Sequence, residues 1–340
     1  MGALGFIVFA SFIALMGYLI TPDSTPYAND QYLELGLKKP GFTVNIIKTS
    51  KIQGVTRHNP FFKMIFGAKR EWNSIPIRAY QIHGKQLLYI EYGSPSSQIS
   101  VKAIQLTKDN FPERKTFLLG TDRFGRDYLS QLMIGTRVSL SVGFISVAIS
   151  LLIGILAGSL GGFFGGWIDK IIVWFINVVW SIPTLLLVIA ITFALGKGFW
   201  QVFIAVGLTM WVEVARVVRG QILSIREKEY VEAARALGYS NFRTIFYHIL
   251  PNVMSAVIVI SAANFASAIL MEAGLSFLGL GVQPPVPSWG SMIKENYGYI
   301  VLDYAYLAIL PGLAIMLMVL AFMLIGNSLR DALDVRMSEV

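Results

Sequence analysis

The chain has 340 residues, of which 55% are apolar and only 14% charged, and its mean hydropathy is +0.61. Since soluble domains average about 25% charged residues, this composition excludes an ordinary soluble domain and indicates a membrane protein. The net charge of +8 comes without a basic helix or an aromatic-basic groove, which argues against a nucleic-acid partner, and the absence of cysteine excludes disulfides and thiolate metal sites.

Six stretches are long and apolar enough to cross a bilayer, because a spanning helix needs about 20 mainly apolar residues. They cover residues 2 to 21, 138 to 161, 168 to 195, 199 to 219, 253 to 274 and 304 to 328. The first stretch has neither the basic start nor the small-residue cleavage site of a secretory signal. We therefore predict that it is retained as a membrane anchor.

The region after the first span differs from the rest of the chain. It is basic, since 17 of the 28 Lys and Arg residues lie between positions 22 and 138. Three short runs have β-like composition or alternation: residues 75 to 83, 86 to 92 and 98 to 106. We predict a small β-containing domain, either a surface elaboration or a docking or substrate-handling module. His58 and His83 lack ligand spacing, so we expect surface or packing roles rather than a metal site.

The short loops predict the orientation, because Lys and Arg within about 15 to 20 residues of helix ends are retained in the cytoplasm. Alternation of six spans places both termini on the side of the loops near 162 to 170 and 216 to 252. That side carries nine basic residues: Lys170, Arg216, Arg219, Arg226, Lys228, Arg235, Arg243, Arg330 and Arg336. The opposite short loops carry only Lys197 and Lys294. We therefore expect cytoplasmic termini and an extracytoplasmic segment 22–137, since loops longer than about 60 residues are translocated largely regardless of charge.

Glycine and proline mark positions of close packing or bending within the spans. Four glycines recur every four residues along the second span and its end: Gly154, Gly158, Gly162 and Gly166. Small residues at this spacing let two helix backbones approach closely, although a helix end with a Gly-rich turn has the same composition. Pro183 and Pro311 interrupt the third and sixth spans, where we expect kinks that are either static or part of a moving gate.

Charged residues are sparse in the spans, which argues against ion-coupled transport. Glu213 and Arg216 are expected to pair at i, i+3 near the end of the fourth span. Near the other end of the fifth span, a candidate external gate consists of Glu272, Pro284, Pro285 and Trp289. The alternative is that Glu272 reaches the membrane interface and that Trp289 is an interfacial anchor.

A polar segment, residues 229 to 251, lies between the fourth and fifth spans. Tyr230, Ala233, Ala234 and Leu237 fall at i, i+3, i+4 and i+7, which predicts a narrow apolar stripe with small residues for a partner's groove. Gly238 is expected to end this helix in the left-handed conformation. We expect Ser240 to cap a second short helix that ends before Pro251.

The same segment carries a family resemblance. Glu232, Ala233, Ala234, Gly238, Leu250 and Pro251 have the spacing of the EAA loop in permease subunits of ABC importers. The run from His248 to Asn252 resembles the version in dipeptide, oligopeptide and nickel permeases. LGTDRFGRDYLSQLMIGTRVSL, residues 119 to 140, and EAGLSFLGLGVQPPVPSWG, residues 272 to 290, are similar to the same subfamily. The resemblance covers residues 117 to 337 or so and leaves out the first third of the chain.

The resemblance implies an all-α membrane protein with the six transmembrane helices of the type I ABC importer permease fold. A β-containing extracytoplasmic insertion would lie between helices 1 and 2. Residues 1–21 would then form transmembrane helix 1, residues 22–118 the insertion domain and residues 119–340 the permease domain. The cytoplasmic EAA loop would occupy residues 220–252.

The resemblance also implies a multi-pass permease of the bacterial inner membrane that forms half of a translocation pathway for di- or oligopeptides. Nickel chelates or another small solute are the alternative cargo. The expected partners are a second homologous permease in a heterodimer, two ABC ATPase subunits that bind ATP and Mg, and an extracytoplasmic solute-binding protein. The chain itself would need no cofactor. Its ATPase-coupling residues would be Tyr230, Glu232, Ala233, Ala234, Leu237, Gly238, Leu250 and Pro251.

Two other classes of function have less support in the sequence. A membrane-anchored enzyme would need a catalytic motif, but the chain has no HExxH, no GxSxG and no cysteine nucleophile. It also has no GxxxxGK[ST] phosphate loop, so the energy of transport must come from another subunit. A secondary transporter is disfavoured by the scarce intramembrane charge and by the polar helix pair, which such a carrier does not require.

Overall fold

The computed structural model describes residues 1–51, 59–94, 101–107, 110–196 and 198–333. Its helices are α1 Gly2–Ile20, α2 Pro60–Phe66, α3 Tyr128–Phe164, α4 Gly166–Trp180, α5 Thr184–Leu195, α6 Phe199–Ile225, α7 Glu229–Ala236, α8 Asn241–Arg243, α9 Leu250–Leu278, α10 Trp289–Asn296 and α11 Tyr306–Leu333. Its strands are β1 Phe42–Lys51, β2 Trp72–His83, β3 Gln86–Glu91, β4 Lys102–Gln105 and β5 Glu113–Phe117.

Five helices in the described ranges are long and apolar enough to cross a membrane: α1, α3, α6, the helix Asn241–Leu278 that includes α8 and α9, and α11. The predicted third span is instead two helices, α4 and α5, bent by 94° at a short break. Pro183 stands directly before α5. Its ring clashes with the preceding turn and it lacks an N–H donor, which accounts for the break. The described residues contain six candidate membrane spans only if this bent pair is counted as one span.

Helix α1 matches its predicted span, whereas several other helices extend beyond the apolar stretches. α3 begins at Tyr128 rather than near residue 138, and α6 continues to Ile225. Pro311 lies inside α11, which continues to Leu333. Hydropathy detects the apolar part of a helix, whereas the hydrogen-bonded helix extends into its polar ends.

The first of two compact units comprises residues 1–9, 139–283 and those from 312 onward. Its central helix is α6, which packs mainly against α9 and α5. Val218 and Ile222 of α6 lie in one buried cluster with Val231 of α7, Ile249 and Val253. The short helix α7 therefore shares a core with two of the longest apolar helices.

The second unit comprises residues 10–138 and 284–311 and contains a five-stranded sheet. The strand order is β4-β3-β2-β1-β5, and every neighbouring pair is antiparallel. The predicted runs 75 to 83 and 86 to 92 are confirmed as β2 and β3. Residues 98–100 of the third run lie outside the described residues, and the remainder contains β4.

β1 is not among the predicted strands, although it pairs with both β2 and β5. Ile46 is buried in a cluster with Leu35 and Phe117, whereas its neighbour Ile47 is buried in a different cluster with Ile77. Residues 42 to 46, FTVNI, alternate apolar and polar side chains, which is a strand signal that the three predicted runs do not include.

The run LGTDRFGRDY forms a tight turn in the second unit between β5 and α3. The Thr121 hydroxyl donates to the Leu35 carbonyl over 2.5 Å and accepts the Lys38 N–H over 2.9 Å. Gly125 has a φ of 71°, and a Cβ there would collide with the Tyr32 carbonyl. This part of the family resemblance therefore has a structural reason, which is close contact with the segment before β1.

The two histidines of the basic region were expected to have surface or packing roles. His83 is exposed at the end of β2, and His58 lies outside the described residues. Within the described ranges, no group of three or more His, Cys, Asp or Glu side chains is placed to hold a metal ion.

Candidate functional site

Helix α7 has one face built into the core of the first unit. Val231 and Ala234 are buried, and Val231 packs in the cluster that contains Ile222 of α6 and Ile249. The Tyr230 hydroxyl accepts the Asn252 side-chain amide over 3.3 Å, and desolvation raises the pKa of this tyrosine. These contacts fix the orientation of α7 against the two longer helices.

The predicted apolar stripe is divided between two faces of α7. Ala234 points inward with Val231 and is not available to a partner, which corrects its assignment to the docking face. Tyr230, Ala233 and Leu237 are exposed, with 72% of Leu237 accessible. Three of the four stripe residues therefore lie on an exposed face, whereas the chain's own core takes the Val231 side.

The left-handed turn predicted at Gly238 is confirmed. Gly238 has a φ of 78°. Its N–H donates to the Arg235 carbonyl over 2.9 Å, and the Tyr239 N–H donates to the Ala234 carbonyl over 3.1 Å. This pair of hydrogen bonds is a Schellman motif, which ends a helix with a left-handed residue at the C′ position.

Ser240 caps the next helix as predicted, since its hydroxyl accepts the Arg243 N–H over 3.3 Å. The expectation that this helix ends before Pro251 is wrong. A π-helical turn, Thr244–Ile249, joins α8 to α9 without a break. Pro251 follows this π-helical turn, and the Asn252 side-chain amide donates to the His248 carbonyl over 2.8 Å.

Three aromatic residues extend the exposed surface beyond α7. Phe242, Phe246 and Tyr247 are exposed, Tyr247 by 74%, and the rings of Phe242 and Phe246 lie 4.4 Å apart. None of the three is among the predicted site residues, although two aromatics at i, i+4 in a polar segment are a detectable signal. We call the exposed set the loop surface: Tyr230, Glu232, Ala233, Leu237, Phe242, Phe246 and Tyr247. Exposed apolar patches of this kind mark interaction sites.

The other two predicted loop residues lie beside this surface. Leu250 is half-buried, and Pro251 is exposed. Both belong to the first turn of α9. They follow the π-helical turn and connect the loop surface directly to a long apolar helix.

The predicted glycine contacts occur along α3. A Cβ at Gly154 would lie 2.5 Å from Val214 Cβ, and one at Gly158 would lie 2.8 Å from Val218 Cβ. A Cβ at Gly162 would lie 2.9 Å from Ile222 Cβ, so all three glycines face α6. Gly166 differs, because it has a φ of 55° in the turn after α3 and its Cβ would meet no atom within 4 Å. Gly154, Gly158 and Gly162 therefore form a helix contact, whereas Gly166 belongs to the Gly-rich turn at the helix end.

Charged side chains connect the ends of these helices in a pattern the sequence does not reveal. Arg219 of α6 donates two hydrogen bonds, 2.5 and 2.6 Å long, to the carboxylate of Asp169 in α4. The expected Glu213–Arg216 ion pair is absent from the described residues. The Arg216 guanidinium lies 3.5 Å from the centre of the Trp180 ring instead, a cation–π contact. Arg216 thus contacts an aromatic ring of α4 rather than the carboxylate one turn away in its own helix.

Glu272 is fully buried within the first unit. Its Oε1 accepts the Ser276 hydroxyl over 2.6 Å, one turn further along α9. The Ser276 oxygen in turn accepts the Val282 N–H over 3.3 Å. The interpretation that Glu272 reaches the membrane interface is therefore wrong, and its carboxyl fastens the end of α9 to the following turn.

The remaining gate candidates belong to the second unit. Pro284 and Pro285 are exposed, whereas Trp289 is buried. The Trp289 indole N–H donates to the Leu132 carbonyl over 3.0 Å, and the ring lies against Gly135. This packing contradicts the alternative that Trp289 is an exposed interfacial anchor. The four gate candidates are thus divided between the two units.

Comparisons with known proteins agree on one class. Residues 150–339 match the family model described as binding-protein-dependent transport system inner membrane component. The chain is 42% identical over 216 residues to the glutathione transport system permease protein GsiD of Pectobacterium atrosepticum, covering 64% of this chain and 71% of the relative. It is 42% identical over 218 residues to the dipeptide transport system permease protein DppC of Alkalihalophilus pseudofirmus, with the same coverage.

A solved structure also aligns with the chain. A chain from an inward-facing conformation of the MetNI methionine ABC transporter superposes with a TM-score of 0.49 at 19% sequence identity. The alignment covers 59% of this chain and 96% of that one.

Proposed function

Because the chain belongs to the family of binding-protein-dependent transport system inner membrane components, we propose that it is the permease subunit of an ATP-driven importer of di- or oligopeptides. Relatives named as glutathione and dipeptide permeases support this substrate class. As a permease, it is not an enzyme. ATP and Mg would be bound by partner subunits, since the chain has no phosphate-binding loop.

The observation that carries the mechanism is the loop surface on α7 and α8. It combines exposed apolar side chains with the exposed carboxylate of Glu232. We assign it as the docking site of an ABC ATPase subunit. Since Val231 on the opposite face shares a core with α6 and α9, movement of the docked subunit would be transmitted to both helices as a rigid-body displacement.

The pathway itself would be formed with a second, homologous permease in a heterodimer. A cavity of about 480 Å³ in the first unit lies between α6, α9 and α11, with polar lining residues Gln221, Ser255 and Arg330. We propose this cavity as the chain's half of the translocation pathway. The bent pair α4–α5 would count as one of six spans, with the β-containing insertion between spans 1 and 2.

Purification and uptake test the proposed function directly. The tagged chain should copurify with two ATPase subunits, and cells that express the complex should accumulate a radiolabelled dipeptide only when ATP is available. Competition by unlabelled peptides but not by a nickel chelate supports the peptide assignment, and the reverse result would assign the chelate. Transport by this chain without the ATPase subunits would contradict the proposal of an ATP-driven importer.

The proposed orientation predicts the accessibility of two single cysteines, a clean test because the chain has none of its own. Ser94→Cys, after β3 in the insertion, should react with an impermeant thiol reagent in intact cells or spheroplasts. Ser240→Cys, at the start of α8, should react only after permeabilisation. Labelling of Ser240→Cys from outside would reverse the topology.

We predict that coupling to the ATPase requires the left-handed backbone at Gly238 rather than the absence of a side chain. A Cβ at Gly238 would meet no atom within 4 Å, so a substitution there is strained only through its φ of 78°. Gly238→Asn should retain most uptake, because Asn tolerates the left-handed region. Gly238→Val should lose more, because a left-handed β-branched residue costs about 1 to 2 kcal/mol or redirects α8.

The measurement is ATP-dependent uptake and ATPase copurification at matched membrane abundance. Gly220→Val is a matched control, because Gly220 lies in α6 and its Cβ would also meet no atom within 4 Å, but its φ is not left-handed. Equal uptake by the Val and Asn variants of Gly238 would show that the left-handed turn is not needed for coupling.

A further inference from the structure

The short helix α2 in the second unit has an aromatic surface that the transport mechanism does not use. None of its residues is buried, and Phe61, Phe62 and Phe66 are exposed by 66%, 41% and 56%. The rings of Phe62 and Phe66 lie 4.7 Å apart and form a continuous apolar patch. Three exposed phenylalanines in seven residues are unusual for a surface that faces water.

The arrangement of side chains around α2 is that of an amphipathic helix. At about 100° per residue, Phe61, Phe62, Ile65 and Phe66 fall within a sector of about 140°. Lys63 lies outside this sector. One face of α2 is thus aromatic and aliphatic, and the cationic side chain projects from another.

The C-terminal end of α2 is fastened to the start of the apolar part of α3. Arg137 Nη1 donates to the Met64 carbonyl over 3.1 Å and to the Ile65 carbonyl over 2.9 Å. The same guanidinium lies 5.6 Å from the ring centre of Tyr18 in α1. Arg137 directly precedes the apolar stretch that begins at residue 138. An Arg or Tyr at such a position suits the headgroup level of a bilayer.

A second attachment places α2 beside the end of α1. The Ala68 N–H donates to the Ser24 carbonyl over 2.8 Å, four residues after α1 ends at Ile20. A Cβ at Gly67 would lie 2.9 Å from the same carbonyl oxygen, so the two segments are in close contact. The last turns of α1 also expose Leu19 and Ile20. The C-terminal end of α2 therefore lies close to the segment that follows the apolar helix α1.

We propose that α2 is an interfacial helix whose aromatic face inserts into the headgroup and acyl-chain boundary of the bilayer. The occupant of this face is lipid rather than a protein partner, because α2 is attached to the segment after α1 and to Arg137, which precedes the apolar part of α3. Each of these attachments lies at the level where its helix would leave the membrane. Amphipathic helices of this composition lie in the plane of the interface. This contact would hold the basic β-containing region against the membrane surface.

Site-directed spin labelling tests the proposal in the assembled complex. The chain has no cysteine, so Phe62→Cys, Phe66→Cys, Lys63→Cys and Gln81→Cys each give one labelling site once partner cysteines are replaced. Gln81 is an exposed residue of β2. The labelled complexes are reconstituted in vesicles of phosphatidylethanolamine and phosphatidylglycerol. Collision rates are measured with oxygen, which concentrates in lipid, and with chromium oxalate, which stays in water.

Labels at Phe62 and Phe66 should show a several-fold higher ratio of oxygen to chromium oxalate collisions than the label at Gln81, with Lys63 between them. Two results would overturn the proposal. Free access of chromium oxalate at Phe62 and Phe66 in vesicles would place α2 in water, and protection from both reagents would show that a protein subunit covers it.

Discussion

Substitution of Gly158 by alanine is expected to destabilise the protein, although it adds a single methyl group. The new Cβ would lie 2.6 Å from the Ala215 carbonyl oxygen and 2.8 Å from Val218 Cβ. Both neighbours belong to α6, whose residues there are fully buried and have no free space to move into. Overpacking of a close-packed core costs about 1 to 3 kcal/mol. Gly158→Leu should exceed that range and prevent accumulation of the folded chain.

A matched variant separates this contact from the general effect of alanine in a helix. Gly220 lies in α6, and its Cβ would meet no atom within 4 Å. Gly220→Ala should therefore be neutral or stabilising by up to about 1 kcal/mol, because alanine has the higher helix propensity. The measurement is the thermal unfolding midpoint of the purified chain at equal lipid content. Equal midpoints for the two alanine variants would show that α3 and α6 are not in close contact at Gly158.

The glycine period illustrates what the sequence predicts well. Gly154, Gly158 and Gly162 could be identified as contact positions because a four-residue spacing keeps small residues on one helix face. Their partner could not be identified, since Val214 and Val218 of α6 are ordinary apolar residues in a span. Periodicity determines the face of a helix but carries no information about what packs against it.

The turn after α7 was predictable for a related reason. Gly238 and Ser240 act through hydrogen bonds to residues within five positions, so their structural roles follow from local chemistry. Ala234 was misassigned because the buried face of α7 is set by residues distant in sequence, such as Ile222 of α6 and Ile249 of the π-helical turn. Local rules give helix ends, and tertiary contacts decide which face is buried.

Burial also explains the errors at the gate candidates. Trp289 has a polar N–H and a large ring, which suit a membrane interface. In the fold, the Leu132 carbonyl accepts that N–H, and Gly135 provides room for the ring. Neither partner could be deduced from the loop sequence. β1 differs, because the alternation of residues 42 to 46 is visible in the sequence, whereas the separate clusters that bury Ile46 and Ile47 are not.

Replacement of Glu232 by lysine is expected to abolish uptake while the protein still inserts and folds. Glu232 is exposed in the first turn of α7. A carboxylate there interacts favourably with the helix dipole, so its loss should cost the folded chain only about 0.3 to 1 kcal/mol. The effect on docking should be much larger, because an unmatched charge within a desolvated interface costs about 2 to 5 kcal/mol.

That cost corresponds to a loss of roughly 30- to 4,000-fold in affinity for the ATPase subunit, since each 1.4 kcal/mol is a factor of about ten. Glu227→Lys makes the same change in net charge at an exposed residue between α6 and α7 and serves as the control. It should leave docking nearly intact, because surface charges outside an interface contribute little. Glu232→Gln removes the charge but keeps the size of the side chain, and it should lie between the wild type and Glu232→Lys.

Copurification of the ATPase subunits across a salt series, together with ATP-dependent uptake at matched membrane abundance, distinguishes docking from folding. Loss of both with Glu232→Lys and retention of both with Glu227→Lys would locate the interaction on the loop surface. Normal uptake by Glu232→Lys with the ATPases still bound would mean that Glu232 faces water in the complex. The exposed aromatic residues Phe242, Phe246 and Tyr247 would then have to supply the docking energy, because they are the large apolar groups that remain exposed on α8 and its π-helical turn.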